Sequence, residues 1–439
     1  MRKLCLNVSL LVLLLVSLMS CNKPTPQEEI PTINNIAEDY VKLVLRVGQF
    51  DSDFVDAYYG PEEFKPTELE NEKDLSPERY IKQVDELLAN LKLLDQESAT
   101  YDQRRVFMLE KQLVAVRTKI SMLGGKKFSF DEEANLLYDA QAPSFSVAHF
   151  DALLAELDNM LPGEGSLNQR YADYAKQFVI PKDKLDTVFQ AAINEARKRT
   201  IARFSLPENE NFVLEYVTDK SWSGYNYYQG NGQSLIQINT DFPIMIDRAV
   251  DLACHEGYPG HHVFNALLEK NLVNEKGWVE FSVYPLFSPQ SLIAEGSANY
   301  GIDVAFPGDS RIQFEKEVLF PLAGIDPDSA ERYYEVQTLR AKLNYAGNEA
   351  ARAYLNGDID RLNAAQWLES YLLFEPERAL QRTRFIDQYR SYVINYNLGK
   401  DLVAEYIEAK GGTSDNPDLR WQLFEDLLSQ PYTASMLTH

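Results

Sequence analysis

The sequence predicts a mainly α-helical protein carrying one small antiparallel β-hairpin. Three observations predict it. Apolar residues recur at three- and four-residue spacing from Ile33 to about Leu206, strand signals are confined to one aromatic stretch, and helical periodicity resumes from about Asp328 to the end.

At the start of the chain, Arg2 and Lys3 precede an apolar run from Leu10 to Leu18 that ends in Leu18-Met19-Ser20-Cys21. This pattern reads as a bacterial lipoprotein signal over residues 1–20, with cleavage before Cys21 and acylation of its thiol. The run falls short of the ~20 apolar residues that span a bilayer. Residues 21–33 follow as a polar tether containing Pro24, Pro26 and Pro31. No later stretch is apolar for long enough to cross a membrane, so the expected anchor is the lipid alone. The expected location is the bacterial cell envelope, in the periplasm or at the cell surface. Of the three cysteines only Cys254 is left for the body of the protein, which excludes an internal disulfide. The formal charge of −23 becomes about −25 without Arg2 and Lys3, which argues against nucleic acid and anionic membrane surfaces as partners.

Helices are expected at Tyr80 to Leu94, Gln103 to Met122, Phe150 to Met160 and Lys184 to Phe204, with no fixed-period repeat that would indicate a solenoid. Trp222 to Tyr228 and Gln233 to Asn239 alternate aromatic or β-branched residues and are joined across Gln229-Gly230-Asn231-Gly232, which gives the hairpin. Thr240 or Asp241 is placed to cap the next helix, with Pro243 in its first turn and Ile246, Ala249, Val250, Ala253 and Cys254 on one stripe. Another helix opens at Ser288-Pro289 and stops before Pro307-Gly308, and the last helices are broken near Gly357, Pro376, Gly411 and Pro417.

Five histidines occur, His149, His255, His261, His262 and His439, and three of them fall within eight residues beside Glu256. Two imidazoles on a metal with an adjacent carboxylate to take a proton from water is the arrangement a zinc hydrolase needs. At 100° per residue His255 lies about 180° from Ile246, opposite the apolar stripe and facing a polar cleft. The bland alternative is a helix end with surface histidines. On a regular helix His262 would lie about 10.5 Å along the axis from His255, too far for a shared ion. Pro259 and Gly260 supply the break that the chemistry requires. His261 needs the smaller distortion and is the expected second ligand. His262 is the alternative, or else it supports a ligand or faces substrate.

The expected third ligand is Glu295, although a lone helical glutamate is usually a solvated charge. Gly296, Ser297 and Ala298 permit close helix approach, while Asn299, or alternatively Asp303, is placed to orient a liganding imidazole. Cys254 lies on the apolar stripe and reads as a buried hydrophobe. Because the hairpin leads into the motif helix, its edge suits an extended peptide lined by Tyr225, Tyr227 and Tyr228, unless these rings only fill the sheet face.

With His255-Glu256-Gly257-Tyr258-Pro259-Gly260-His261-His262 and Glu295-Gly296-Ser297-Ala298-Asn299-Tyr300, the chain resembles the bacterial domain-of-unknown-function family 885. That family carries a His-Glu-x-x-Pro-Gly-His-His segment and a downstream Glu-Gly-Trp-Ala-Leu-Tyr helix. Ser297 and Asn299 depart from it. The resemblance implies a two-lobed, gluzincin-like metallopeptidase fold, with residues 34–206 as a helical N-terminal lobe and residues 207–439 as the catalytic lobe. Of the family's C-terminal arginine, Pro-Gly-Gln and Tyr-x-x-Gly pattern, Arg384 and Tyr396-Asn397-Leu398-Gly399 remain and Pro-Gly-Gln is missing. Tyr396, then Arg390, are the candidate donors to an oxyanion, with packing or surface roles as the alternative. The expected activity is hydrolysis of peptide or amide bonds with one Zn2+. A lipoprotein that binds metal or peptide without turnover is the rival reading, and an amidase of cell-wall peptides shares the chemistry.

Overall fold

The computed structural model describes residues 31–67, 75–96 and 102–438, so the signal segment and Cys21 lie outside the described residues, as does His439. The fold is mainly α-helical with two small sheets. Helix α1 (Ile33–Val47) is closed by a capping box in which Thr32 accepts the Asn35 amide and Asn35 reaches back. Strand β1 (Val55–Tyr58) follows, then α2 (Pro77–Gln96), α3 (Gln103–Leu123), α4 (Phe130–Tyr138), α5 (Val147–Met160), α6 (Leu167–Ala175) and α7 (Leu185–Ile201). The four helices expected in this stretch are all present, within a few residues at their ends.

Three strands come next: β2 (Asn211–Val217), β3 (Gly224–Gly230) and β4 (Gln233–Asn239), in the order β2-β4-β3. Strands β3 and β4 form the expected antiparallel hairpin, with Tyr227 opposite Leu235. Its turn is left-handed through Gly230, Asn231 and Gly232, at φ 80°, 56° and 68°, which explains the Gly-Asn-Gly sequence there. Strand β2 pairs parallel to β4 from Asn211 opposite Gln233 to Val217 opposite Asn239. It is absent from the expected elements, although its Phe-Val-Leu-Glu-Tyr-Val run is rich in β-branched and aromatic residues.

Helix α8 (Asp247–Leu252) starts later than expected. Asp241 caps no helix. Its carboxylate accepts the Asp219 amide at 2.9 Å, and Met245 makes an antiparallel bridge to Val179 before Ile246 turns into the helix, with Ile246 donating to Phe178 and Ile180 to Ile244. Tertiary pairing has overridden a local cap signal.

Past α9 (His261–Leu268), β5 (Val283–Pro285) pairs antiparallel with β1. Helix α10 (Pro289–Ala305) has Ser288 at its cap and proline in its first turn, as its sequence predicts. The chain continues through α11 (Ser310–Phe314), α12 (Phe320–Ala323), α13 (Ala330–Ala341), α14 (Tyr345–Asn356), α15 (Arg361–Leu372), α16 (Pro376–Tyr389), α17 (Ile394–Ala409), α18 (Pro417–Ser429) and α19 (Ala434–Leu437). One cluster of buried side chains extends from Ile33 to Leu437. At its centre α10 crosses α17 so closely that a Cβ on Gly296 would sit 2.4 Å from the Gly399 carbonyl carbon and oxygen. Only glycine against glycine permits that approach.

Candidate metal centre

Where α8 ends, the helix widens into a π-helical turn, Ala253–Gly257, closed by the Tyr258 amide on the Ala253 carbonyl at 3.0 Å. A cis Tyr258-Pro259 bond follows, the Gly260 amide reaches the Cys254 carbonyl at 2.9 Å, and α9 restarts at His261. Gly260 is obligatory, since a Cβ there would fall 2.0 Å from the His255 carbonyl oxygen. This is the break that Pro259-Gly260 predicts, and it folds the two imidazoles together. His261 Nε2 lies 3.2 Å from His255 Nε2.

Glu295, presented by α10, places Oε2 3.1 Å from His255 Nε2 and 3.6 Å from His261 Nε2. A tetrahedral ion with bonds of about 2.1 Å sets its ligand atoms about 3.4 Å apart, which these three separations bracket. The protonation pattern fits as well. Asn299 Nδ2 donates to the Tyr396 carbonyl at 2.9 Å, which fixes the amide oxygen 3.0 Å from His255 Nδ1. Nδ1 therefore carries the proton and Nε2 turns a lone pair toward His261 and Glu295. The Tyr392 hydroxyl donates to Glu295 Oε1 at 2.6 Å, while Oε2 is buried without a hydrogen bond. Two acceptor atoms, His255 Nε2 and Glu295 Oε2, thus face one another with His261 Nε2 beside them, an arrangement that costs free energy unless a proton or a cation lies between them. Burial pushes the Glu295 carboxyl up, but His261 and His255 outweigh it and hold the group far below the usual carboxylate range. Among the described residues, this is the one cluster of three such side chains placed to hold an ion.

Asn299 is the orienting residue. Replacing it with alanine would free the His255 ring, and the affinity of the cluster for a divalent ion is expected to fall about 10- to 100-fold, measured by competition with a chelator.

Glu256 adjoins the cluster without joining it. Its side chain is buried, its carbonyl accepts Asn226 Nδ2 at 2.7 Å, and Gly224 of β3 lies bare against its Oε1. Burial raises its pKa to about 7, with Glu295 and Asp56 adding to the rise and His261 and Arg248 opposing it. Asp56, on β1, is a site residue that sequence reasoning missed. Its Oδ1 accepts the Tyr225 hydroxyl at 2.9 Å, and its pKa is raised to about 6, chiefly by burial. Tyr392 was also missed, four residues before Tyr396 in the same aromatic run.

Other expected site residues fall elsewhere. His262 is fully buried, its Nδ1 2.9 Å from Ser234 Oγ and its Nε2 3.0 Å from Glu210 Oε2, so it is not a ligand and faces no substrate. Asp303 pairs with Lys400 at 2.7 Å and orients no imidazole. Arg390 is held by Glu133 at 2.8 Å and donates to no oxyanion. Arg384 is exposed. Strand alternation sends Tyr228 to the inner face, where it is 2% exposed, with its hydroxyl on Glu269; this leaves Tyr225 toward Asp56 and Tyr227 at the surface. Tyr396 lies beside the cluster, its ring 6.3 Å from that of His255 and inclined by 26°. Burial and the Glu295 charge push its hydroxyl pKa well up, so it stays a proton-bearing donor. Cys254 is fully buried, and burial raises its thiol pKa, which suits the packing role expected of it.

No protein-family model matches the chain, and no curated protein matches it. The resemblance to family 885 therefore rests on the two motifs alone. Two solved structures align with the chain. A protein of Colwellia psychrerythraea, provisionally described as a lipoprotein, aligns over 83% of this chain and 68% of its own at 13% identity, with a TM-score of 0.51. A second from Shewanella oneidensis, provisionally a lipoprotein and of unknown function, aligns over 80% of this chain and 72% of its own at 12% identity, with a TM-score of 0.43. Among the described residues no helix is long and apolar enough to cross a membrane.

Proposed function

We propose that this chain is a zinc-dependent hydrolase of peptide or amide bonds, held at the cell envelope by a lipid on Cys21. The observation that carries the proposal is the convergence of Glu295 Oε2, which has no hydrogen bond, with the Nε2 atoms of His255 and His261, and a buried acid beside them that takes no part in the cluster. His255, His261 and Glu295 would hold the ion. When bound, the ion supplies a Lewis acid that polarises a carbonyl and acidifies water. Glu256 receives the proton and returns it to the leaving amine, a double task that suits an acid buried to a pKa near neutrality. Tyr396 remains the candidate donor to the developing oxyanion, and Asn299 keeps His255 in the ligating tautomer.

The lipoprotein signal and the provisional description of the Colwellia protein support the envelope location. The rival reading, a lipoprotein that binds metal or peptide without turnover, leaves the burial of Glu256 beside the cluster without a purpose. Purified protein should take up one Zn2+ per chain and hydrolyse members of a peptide library, with activity removed by a chelator and restored by zinc. Stoichiometric zinc without hydrolysis of any member would leave the binder as the better account.

A further inference from the structure

Helix α16 carries Arg378 and Arg382 one turn apart on the same face. Among the described residues, neither pairs with a carboxylate, although the chain as a whole is strongly acidic. Elsewhere many buried or half-buried arginines pair with a carboxylate, as Arg105 does with Glu280, Arg311 with Asp251, Arg352 with Glu349 and Arg390 with Glu133, whereas Arg420 and Arg340 do not and lie over Tyr300 and Tyr171. Each unmatched guanidinium instead lies over an aromatic face, Arg378 Cζ 4.6 Å from the Phe374 ring centre and Arg382 Cζ 4.3 Å from that of Phe385. Such stacking holds the planar fork and leaves its N–H donors free.

Aromatic contacts connect this pair to the metal centre. The Phe385 ring lies 6.3 Å from that of Tyr396, which lies 6.3 Å from that of His255. Arg248, two turns before His255 on α8, contributes a third cation, tied at 3.0 Å to Asp251. Its charge acts on both Glu256 and Arg378. Burial and the neighbouring arginines push Arg378 down to about 10, and burial lowers Arg382 too. Arg378 and Arg382 bear these costs with no carboxylate partner among the described residues, and Arg248 shares its one carboxylate, Asp251, with Arg311.

We infer that Arg378 and Arg382, with Arg248 behind them, form a subsite for a substrate carboxylate next to the scissile bond, so that the preferred substrate is an anionic peptide. This rests on the hydrolase reading above. The carboxylate is either the peptide's own C-terminus or an acidic side chain. Both present the planar anion that a guanidinium fork grips through two hydrogen bonds.

Binding can be read apart from turnover. The full-length Glu256→Gln protein, loaded with zinc, would be titrated calorimetrically with four alanine- and tyrosine-containing hexapeptides. These combine a free or amidated C-terminus with an internal Glu or Gln. Removing one of the two carboxylates is expected to weaken binding about 10- to 100-fold, and whichever change does so names the source. Adding Arg382→Gln or Arg378→Gln should cause the same loss for the carboxylate peptide and little for its neutral counterpart, with zinc content and melting temperature confirming an intact fold. Arg382→Lys, which keeps the charge but not the fork, should fall between. Equal binding of all four peptides, no binding of any, or an equal effect of the arginine substitutions on charged and neutral peptides would overturn the subsite. Hydrolysis by the wild type without carboxylate preference removes the subsite and leaves the hydrolase. Selective binding with no wild-type hydrolysis does the reverse.

Discussion

Glu256→Gln is expected to lower kcat by about 10^2- to 10^4-fold while zinc remains at one ion per chain. Glutamine has the size of glutamate and fits the same buried space, but it cannot accept a proton. Glu256 is no part of the His255, His261 and Glu295 cluster, so metal uptake should not change. Steady-state kinetics on zinc-loaded protein, with metal content measured on the same sample, tests this directly. Near-wild-type turnover in the variant would remove Glu256 from the chemistry. The wild type adds a pH signature. Burial places the Glu256 pKa at about 7 in the metal-free protein, and a dication beside it can only lower that value. In the proposed mechanism the ionised form is the active one, so kcat/KM should fall as pH drops through an acid limb lying below 7.

Alanine at His261 and at His262 should give opposite results, though the two residues are adjacent. His261→Ala removes a ligand. Zinc at a thousandfold excess over its Kd stabilises a native site by about 4 kcal/mol, and this variant should lose that increment while its metal-free form melts near the wild type. His262→Ala leaves the centre intact but deprives buried Ser234 and Glu210 of their partner. Burial raises the Glu210 carboxyl pKa, and hydrogen bonds from His262, Tyr258 and Arg197 more than reverse the rise. Losing one of those donors should cost about 1–3 kcal/mol of fold stability, with the response to zinc preserved. Thermal melts with and without zinc separate the two. A zinc response lost at His262 and kept at His261 would reverse the ligand assignment.

Much of this was legible because it is local. Helical periodicity gave the helices, Gly-Asn-Gly gave the hairpin, and Pro259-Gly260 announced the interrupted helix that brings His261 to His255. Asn299 was readable from its position one turn after Glu295. What escaped was decided by distant chain. The role of His262 depends on Ser234 and Glu210, and Arg390 is claimed by Glu133 from the other half of the sequence. Asp56 lies on a short strand whose partner is more than two hundred residues away, so no spacing could point to it. The start of α8 was misplaced because pairing with Phe178 to Ile180 overrode a good cap. Tyr228 faces inward and not into the expected groove because a one-residue difference in strand phase decides its side, and the sequence does not fix that phase.

The contact between Gly296 and Gly399 has a mechanical consequence. Where two helices meet through side chains, rotamers can yield and the helices can slide. Here backbone bears on backbone, one residue from Glu295, so that carboxylate stands on a rigid mount whose height above the imidazoles is set before any ion arrives. For the proposed metal site, little of the free energy of capture would then be lost to rearrangement, and the centre would work as a fixed die rather than a closing hand.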